Sequence, residues 1–391
     1  MAIDKFGFPT TIHFGAGASA LVGSHLRERG LARPLVVTDR ALAKLPVTSR
    51  FVAAVRTAGL DVAVFDGIWG NPTGSQAMAG GAAFRDHRAD AVIGFGGGAA
   101  LDVAKAVLVM ARHPGDVLEY AWDHPQVRPI ALDLPYFVAI PTTAGTGSEV
   151  GRSAVVSDDV THVKKILFSP LLLAKAVFAD PELTLDLPPA VTAATGMDAL
   201  THNVESYLSP AYHPLCDGIA LEGVRIAARA LPTAVRQGRD VAARADMLMS
   251  SMMGAIAFQK DLGAVHSCAH ALSTVADLHH GLANGVMIDH VMVFNLPAAT
   301  AKLAELGRVA RAPGAEAGSD EARAQAFVAW LRALKRDIGV PATLSAVNSA
   351  RPVTRADIPA LVSVAVADTC HQTNPRKCSA ADFETLFTAA M

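Results

Sequence analysis

A chain of 391 residues is long enough for two domains, each with its own core. Hydrophobic residues make up 51% of it and charged residues 18%, which excludes a disordered or nucleic-acid-wrapping protein. The formal net charge of −2 gives no general attraction to phosphate backbones or anionic membranes, so neither is expected as a partner.

Four scattered cysteines, Cys216, Cys268, Cys370 and Cys378, form no CxxC pair and point to a reduced, cytoplasmic location. The opening MAIDKFGFPTTIHFG lacks a basic segment followed by an apolar run, so no signal peptide is read there.

The first glycine cluster, GAGASA (15–20), fits the loose dinucleotide pattern G-x-G-x-x-A. Only the short TTIHF precedes it, so the plainer reading is a tight turn into the first helix. PLVVTD (34–39), DVAVFDG (61–67), AVIGFGGG (91–98) and YFVAIPTT (136–143) are compact apolar runs, with helix-like segments between them. That alternation predicts a mainly parallel sheet with helices on both faces. The most apolar stretch, 91–111, is interrupted by three glycines, Asp102 and Lys105, and reads as a buried strand entering a helix rather than a membrane span.

Several residues at the ends of these runs suit a dinucleotide. Asp39 ends its strand, where a carboxylate either accepts from a ribose 2′-OH, favouring NAD over NADP, or caps a helix. GGGAALDVAK (96–105) follows an apolar strand and opens a helix; there the backbone approaches phosphate closely and helix N–H groups attract it. PTTAGTGSEV (141–150) alternates hydroxyls with glycine in a second loop of the same kind.

Past about residue 185 the pattern turns to successive amphipathic helices with no clear strand, PGAEAGSD (313–320) reading as a polar loop. The division is thus an α/β domain over 1–185 and an all-helical domain over 186–391, with a cleft between such domains a common place for an active site. In GMDALTHNVESY (196–207), Asp198 and His202 stand four apart, on one face of a helix. His266 and His270 repeat that spacing, and His280 stands directly before Gly281, spacing alone leaving its neighbour His279 open as the further ligand. One carboxylate and three imidazoles make a charge-balanced site for Fe(II), Zn(II) or Mn(II).

GGGAALDVAKA, PTTAGTGSEV, GMDALTHNVESY and HSCAHALSTVADLHHGLANGV, in this order, resemble the iron-containing (group III) alcohol dehydrogenases over nearly the whole chain. The resemblance implies a Rossmann-like α/β domain followed by a helical metal-binding domain, the architecture shared with dehydroquinate synthase. It implies a metal held by Asp198, His202, His266 and His280, with His279 a neighbour and His270 a proton-relay candidate. For NAD it implies Gly96, Gly97, Gly98 and Asp102 in the first loop, Thr142, Thr143 and Thr146 in the second, Asn71, Lys164 and, as the acidic residue of NAD-preferring members, Asp39. It also implies a homodimer or larger assembly. The activity implied is hydride transfer between NAD(H) and a primary alcohol or aldehyde. A maleylacetate reductase-like enzyme, or another 2-oxo- or hydroxy-acid reductase of this fold, is the alternative, and a non-enzymatic cofactor-binding protein a more distant one.

Two departures bear on chemistry. Ala99 stands where the family commonly has serine after the glycines, removing one hydroxyl from the phosphate loop. Arg152 and Lys260 are unusual cations at positions expected to border the metal; together they suggest a clamp for an anionic substrate such as succinate semialdehyde, or otherwise pair with nearby acids.

Overall fold

The computed structural model describes residues 7, 8 and 10–391; the segment read above for a signal peptide lies partly outside the described residues. The chain forms two compact units, one of residues 7–143 with 147–184, the other of 185–391 with 144–146.

The first unit is α/β. Its strands and helices run β1 (Thr11–Phe14), α1 (Val22–Arg27), β2 (Pro34–Asp39), α2 (Pro46–Thr57), β3 (Ala63–Ile68), α3 (Gly74–His87), β4 (Ala91–Gly96), α4 (Gly98–Arg112), β5 (Tyr136–Pro141), β6 (Ser153–Ser157), β7 (Lys164–Phe168) and β8 (Ala176–Ala179). Six strands form one sheet in the order β1-β8-β5-β4-β2-β3, parallel throughout, and β6 and β7 make a separate antiparallel hairpin. The apolar runs expected as strands are β2, β3, β4 and β5. Every residue of β4 is buried, as a central parallel strand covered on both faces requires, and Phe51 stacks on Phe95 with ring centroids 4.6 Å apart. The run 91–111 is β4 entering α4, as the sequence predicts.

The chain moves from β2 outward to β3 and then crosses back to β4 on the other side of β2. The order reverses there, and the carboxyl ends of strands flanking such a point are where open α/β sheets bind ligands. Asp39 ends β2, Gly96 ends β4 and Thr142 follows β5.

GAGASA binds an anion belonging to the protein itself. The N–H groups of Gly17 and Ser19 and the Ser19 hydroxyl donate to the Asp180 carboxylate at 3.2, 3.1 and 2.7 Å. The donors a pyrophosphate would need are engaged, and the loop is the tight turn.

A second set of charges lies inside this unit. Lys105 is fully buried and donates to the Ser148 hydroxyl and the Ser153 carbonyl, both at 2.8 Å. Asp102 accepts from the Ser148 hydroxyl at 2.6 Å and from the Val155 N–H at 3.2 Å. One helix turn thereby fixes both the second glycine loop and the hairpin. Glu149 is buried beside them with no hydrogen-bond partner at Oε1, and burial pushes its carboxyl up to about 7 against the opposing pull of Lys105.

The second unit contains α5 (Pro189–Leu208), α6 (Pro214–Arg236), α7 (Val241–Ala257), α8 (Ala264–Ala276), α9 (His280–Val309), α10 (Asp320–Asp337), α11 (Ile358–Ala367) and α12 (Ala380–Ala390), and no strand among its described residues. The polar loop expected near 313–320 joins α9 to α10. Val241–Lys260 is long and apolar enough to cross a membrane, but over half of it is buried against the rest of the structure, the condition of a core helix. Helix α5 is buried over most of its length, with Asp198, His202, Asn203 and Glu205 among the enclosed residues. Buried polar groups of that kind need partners, and those partners define the site.

Two predictions follow from the α/β unit. Asp180→Ala leaves the Gly17 and Ser19 donors without their charged acceptor, and should cost about 2–3 kcal/mol in chemical unfolding; an unchanged midpoint would show that water replaces the carboxylate. For Glu149 the folded-state pKa is raised, so between pH 4.5 and about 7 the folded protein holds a proton that the unfolded chain has released. Its contribution is favourable below that window and is lost as pH rises through it. Glu149→Gln should therefore gain about 3 kcal/mol on wild type between pH 4.5 and 8, and parallel stability profiles would contradict the assignment.

Candidate active site

Three helices of the helical unit converge on Asp198. Asp198 and His202 lie one turn apart on α5, His266 is in the first turn of α8, and His280 is the first residue of α9. The Nε2 atoms of His202, His266 and His280 stand 4.0, 3.8 and 3.5 Å from Asp198 Oδ1. Asp198, His202 and His266 are at most 5% exposed. The His202 and His266 rings stack with centroids 4.6 Å apart. Burial lowers the His202 pKa to about 4, with the Asp198 charge opposing, so this imidazole is neutral near pH 7.

Local chain geometry brings His280 in. Helix α8 ends on Asp277 in the left-handed region (φ 50°), and α9 starts three residues later. Gly281 allows the two helices to meet: a Cβ there would stand 2.4 Å from the Ala194 carbonyl oxygen of α5. His279 caps α9, its Nδ1 accepting from the Leu282 N–H at 3.4 Å.

Glu205 and Asn284 hold this group, and neither was singled out from sequence. The buried Glu205 carboxylate accepts from His266 Nδ1 at 2.6 Å and from the Val265 and His266 N–H groups at 2.7 and 3.3 Å. It sits at the N-terminus of α8, where the helix dipole favours a negative charge. Fixing His266 Nδ1 as the donor turns Nε2 toward Asp198 as an acceptor. Asn284 Nδ2 donates to Asp198 Oδ1 at 2.7 Å and lies 3.4 and 3.2 Å from His266 Nε2 and His280 Nε2. Both residues had a spacing signal: Glu205 follows Asp198 by seven positions and Asn284 follows His280 by four, so each shares its helix face.

His270 lies beside the group. Its ring stacks on His280 with centroids 5.3 Å apart and 20° between planes. Its Nδ1 is 2.7 Å from Asp368 Oδ2, a contact across 98 residues that no local spacing announces. Burial alone would raise the Asp368 carboxyl. The His270 charge and hydrogen bonds from His270, Ser267 and the Cys370 N–H outweigh it and hold Asp368 well below the usual carboxylate range. Burial, with Asp368 and Glu205 nearby, pushes the Cys370 thiol far up, which fits a packed thiol rather than a nucleophile.

In the α/β unit, the residues expected at a dinucleotide gather at the strand ends. Gly96 has φ 153°, and a Cβ on it would lie 2.6 Å from Ala100 Cβ and 3.8 Å from Asp39 Oδ2. Gly97 packs against Thr143, and the Thr142 N–H donates to the Gly96 carbonyl at 3.0 Å. Gly98 starts α4, with no side chain capping that helix. Asp39 has two roles divided between its oxygens: Oδ1 accepts from the Ala41 and Leu42 N–H groups, and Oδ2 faces the glycine loop. Asn71 follows β3 in the turn before α3, and Lys164 begins β7, near enough to Asp102 to act on its charge. Thr146 groups with the helical unit.

The two expected substrate cations fare differently. Lys260 is fully buried and its ammonium donates to Asp217. This corrects the expectation of a substrate clamp at Lys260, because its ammonium is enclosed and paired with a carboxylate 43 positions earlier in the chain. Arg152 is half-buried in the α/β unit, its guanidinium 6.0 Å from the centre of the Phe168 ring.

The chain matches the family models described as "Iron-containing alcohol dehydrogenase" over residues 9–181 and "Fe-containing alcohol dehydrogenase family, C-terminal" over 192–391. It is 38% identical to a 4-hydroxybutyrate dehydrogenase of Cupriavidus necator over 98% of each chain. Among solved structures it is similar to a 1,3-propanediol oxidoreductase, with TM-score 0.93 and 34% identity over 100% of both chains. It is also similar to the sulfoacetaldehyde reductase of Bifidobacterium kashiwanohense in complex with NAD+, with TM-score 0.87 and 26% identity over 100% of this chain and 99% of the other. The protein belongs to the iron-containing alcohol dehydrogenase family and is an oxidoreductase acting on alcohols.

Proposed function

We propose that this chain is an NAD-dependent, iron-requiring dehydrogenase for a short primary alcohol carrying an anionic group at its far end, as 4-hydroxybutyrate does. The observation that carries the reading is the convergence of three imidazole Nε2 atoms on Asp198 Oδ1.

The donor set fits a divalent cation. Atoms sharing one ion at about 2.0–2.2 Å stand roughly 3–4 Å apart, the range of the separations here. The Asn284 amide nitrogen, the positive end of a dipole, lies among these acceptors while its own Oδ1 lacks a partner. Asp198, His202, His266 and His280 would hold the ion, with Fe(II) the family's metal and Zn(II) or Mn(II) compatible with the same ligands. Bound metal and nicotinamide supply Lewis acidity toward the alcohol oxygen and hydride acceptance, respectively.

The chain's own residues do the rest. Gly96, Gly97 and Gly98 give a phosphate close access to the N-terminus of α4, and Thr142 and Thr143 add donors beside them. Asp102 keeps the second loop and hairpin in register with the first loop. Asp39 Oδ2 suits a ribose 2′-OH and repels a 2′-phosphate, which favours NAD; Asn71, Thr146 and Lys164 complete the cofactor set. Glu205 orients His266, and His270 takes up the alcohol proton and passes it on.

The anionic substrate rests on two relatives, one named for 4-hydroxybutyrate and the other for sulfoacetaldehyde. Arg152 is the candidate cation for that group, Lys260 being enclosed with Asp217. The four cysteines, all free thiols, accord with a cytoplasmic location, and assembly as a homodimer or larger completes the reading.

With anaerobically iron-reconstituted protein and NAD, kcat/KM for 4-hydroxybutyrate should exceed that for 1-butanol about ten-fold or more, a difference of about 1.4 kcal/mol. Arg152→Met should erase most of that margin; a wild-type preference for 1-butanol would leave a general alcohol dehydrogenase. Independently of turnover, Glu205→Gln should weaken metal affinity of the chelator-stripped protein about 10–100-fold in a competition titration. Unaltered affinity would reduce Glu205 to a helix cap.

A further inference from the structure

We propose that Asp368 is a positioning residue for the reaction: it accepts a hydrogen bond from His270 Nδ1–H and thereby fixes which nitrogen of that imidazole faces the substrate side. The proposal rests on the reading of His270 as proton acceptor and adds to it the residue that sets its tautomer.

An ionised carboxylate only accepts hydrogen bonds. With Asp368 Oδ2 2.7 Å from His270 Nδ1, the proton of a neutral ring belongs on Nδ1, leaving the lone pair on Nε2. The carboxylate is itself immobilised. Its Oδ1 accepts from the Ser267 hydroxyl at 2.7 Å and from the Cys370 N–H at 2.8 Å, and Ser267 Oγ accepts the His371 N–H at 2.9 Å.

The segment bearing Asp368 is fastened to α8 further along. Thr373 donates to the Leu262 carbonyl at 2.8 Å, and Asn374 Oδ1 accepts from the Ala264 N–H at 3.3 Å. The imidazole is therefore gripped between its own helix and a strap that crosses that helix's first turn. Its ring lies flat against His280, which places the fixed tautomer beside the Asp198 group.

His270, Asp368 and Cys370 also bring ligand atoms within 4.8 Å of one another, a grouping that a cation could share. Both Asp368 oxygens are committed to donors, and the Cys370 thiol is pushed far from ionisation. Hydrogen bonds thus account for the approach of His270 to Asp368 without a cation. A base oriented by a third group is the arrangement that general-base sites share.

The test is a double-mutant cycle on the metal-loaded, NAD-saturated enzyme. His270→Ala should lower kcat about 100-fold or more. Asp368→Asn should lower kcat about ten-fold or more with KM within two-fold and unchanged metal content. In the His270→Ala background, Asp368→Asn should have no further effect. A loss at Asp368 that persists in that background overturns the proposal and makes the residue structural. If His270→Ala lowers kcat and Asp368→Asn does not, the proposal fails and the His270 reading stands; if His270→Ala leaves kcat unchanged, both fail together.

A readout free of activity guards against variants that fold poorly. In zinc-loaded, 15N-histidine-labelled protein the His270 resonances should show Nδ1–H in wild type and a mixed or Nε2–H tautomer in Asp368→Asn. An Nε2–H tautomer in wild type overturns the proposal regardless of turnover.

Discussion

The helical unit depends on one constraint: a carboxylate and three imidazoles meet inside an apolar bundle, and groups of that kind are costly to bury without partners. Helix α5 brings Asp198 and His202 into that interior because its small residues let neighbouring helices approach closely. Gly281 opposite Ala194 is the clearest case, since any side chain there would strike the α5 backbone and drive the first residue of α9 away. The partners that make this burial tolerable come from the same short segments. Glu205 follows His202 on α5, and Asn284 follows His280 on α9. Each segment thus carries a member of the converging group and a residue that holds another member in place.

The α/β unit meets the same constraint differently, by engaging its buried and half-buried charges in internal hydrogen bonds. Asp180 closes the first glycine turn, Asp102 and Lys105 tie the second loop to the hairpin through Ser148, and Asp39 Oδ1 starts the chain turning after β2. The polar groups at the carboxyl ends of β2, β4 and β5 are thus set beside a hydrogen-bonded network that ties loop, helix and hairpin together. Rigid support of this sort is what lets a loop of glycines keep one shape.

Much of this was legible in the sequence, for reasons that can be named. Strands β2 to β5 stand out because central parallel strands are apolar on both faces. Asp198, His202, His266 and His270 stand out because a helix repeats its face every four residues. Strands β1 and β8 are only four residues long, and the β6–β7 hairpin is half-buried, so none of them leaves a strong run. GAGASA has the composition of a phosphate loop, but its anion arrives from Asp180 across more than 160 residues. Lys260 misled for the same reason, since Asp217 lies 43 positions away. Spacing reports neighbours along one helix and is silent on partners that the fold supplies.

The fold-supplied partners also explain how one histidine-rich segment gives its imidazoles different settings. His279 is spent on capping α9. His266 and His270, four apart on α8, each meet a carboxylate at Nδ1, Glu205 for the first and Asp368 for the second. The device is the same and its setting is not. The His266–Glu205 pair has side chains 2% and 1% exposed, whereas the His270–Asp368 pair has side chains 24% and 18% exposed. An imidazole locked in a dry interior is suited to holding a fixed charge in place, because neither its orientation nor its proton can change at low cost. An imidazole oriented by the same kind of bond but open on one side is suited to exchanging a proton with its surroundings. The two carboxylate–imidazole pairs on one helix turn therefore differ in solvent access, which the rest of the fold decides.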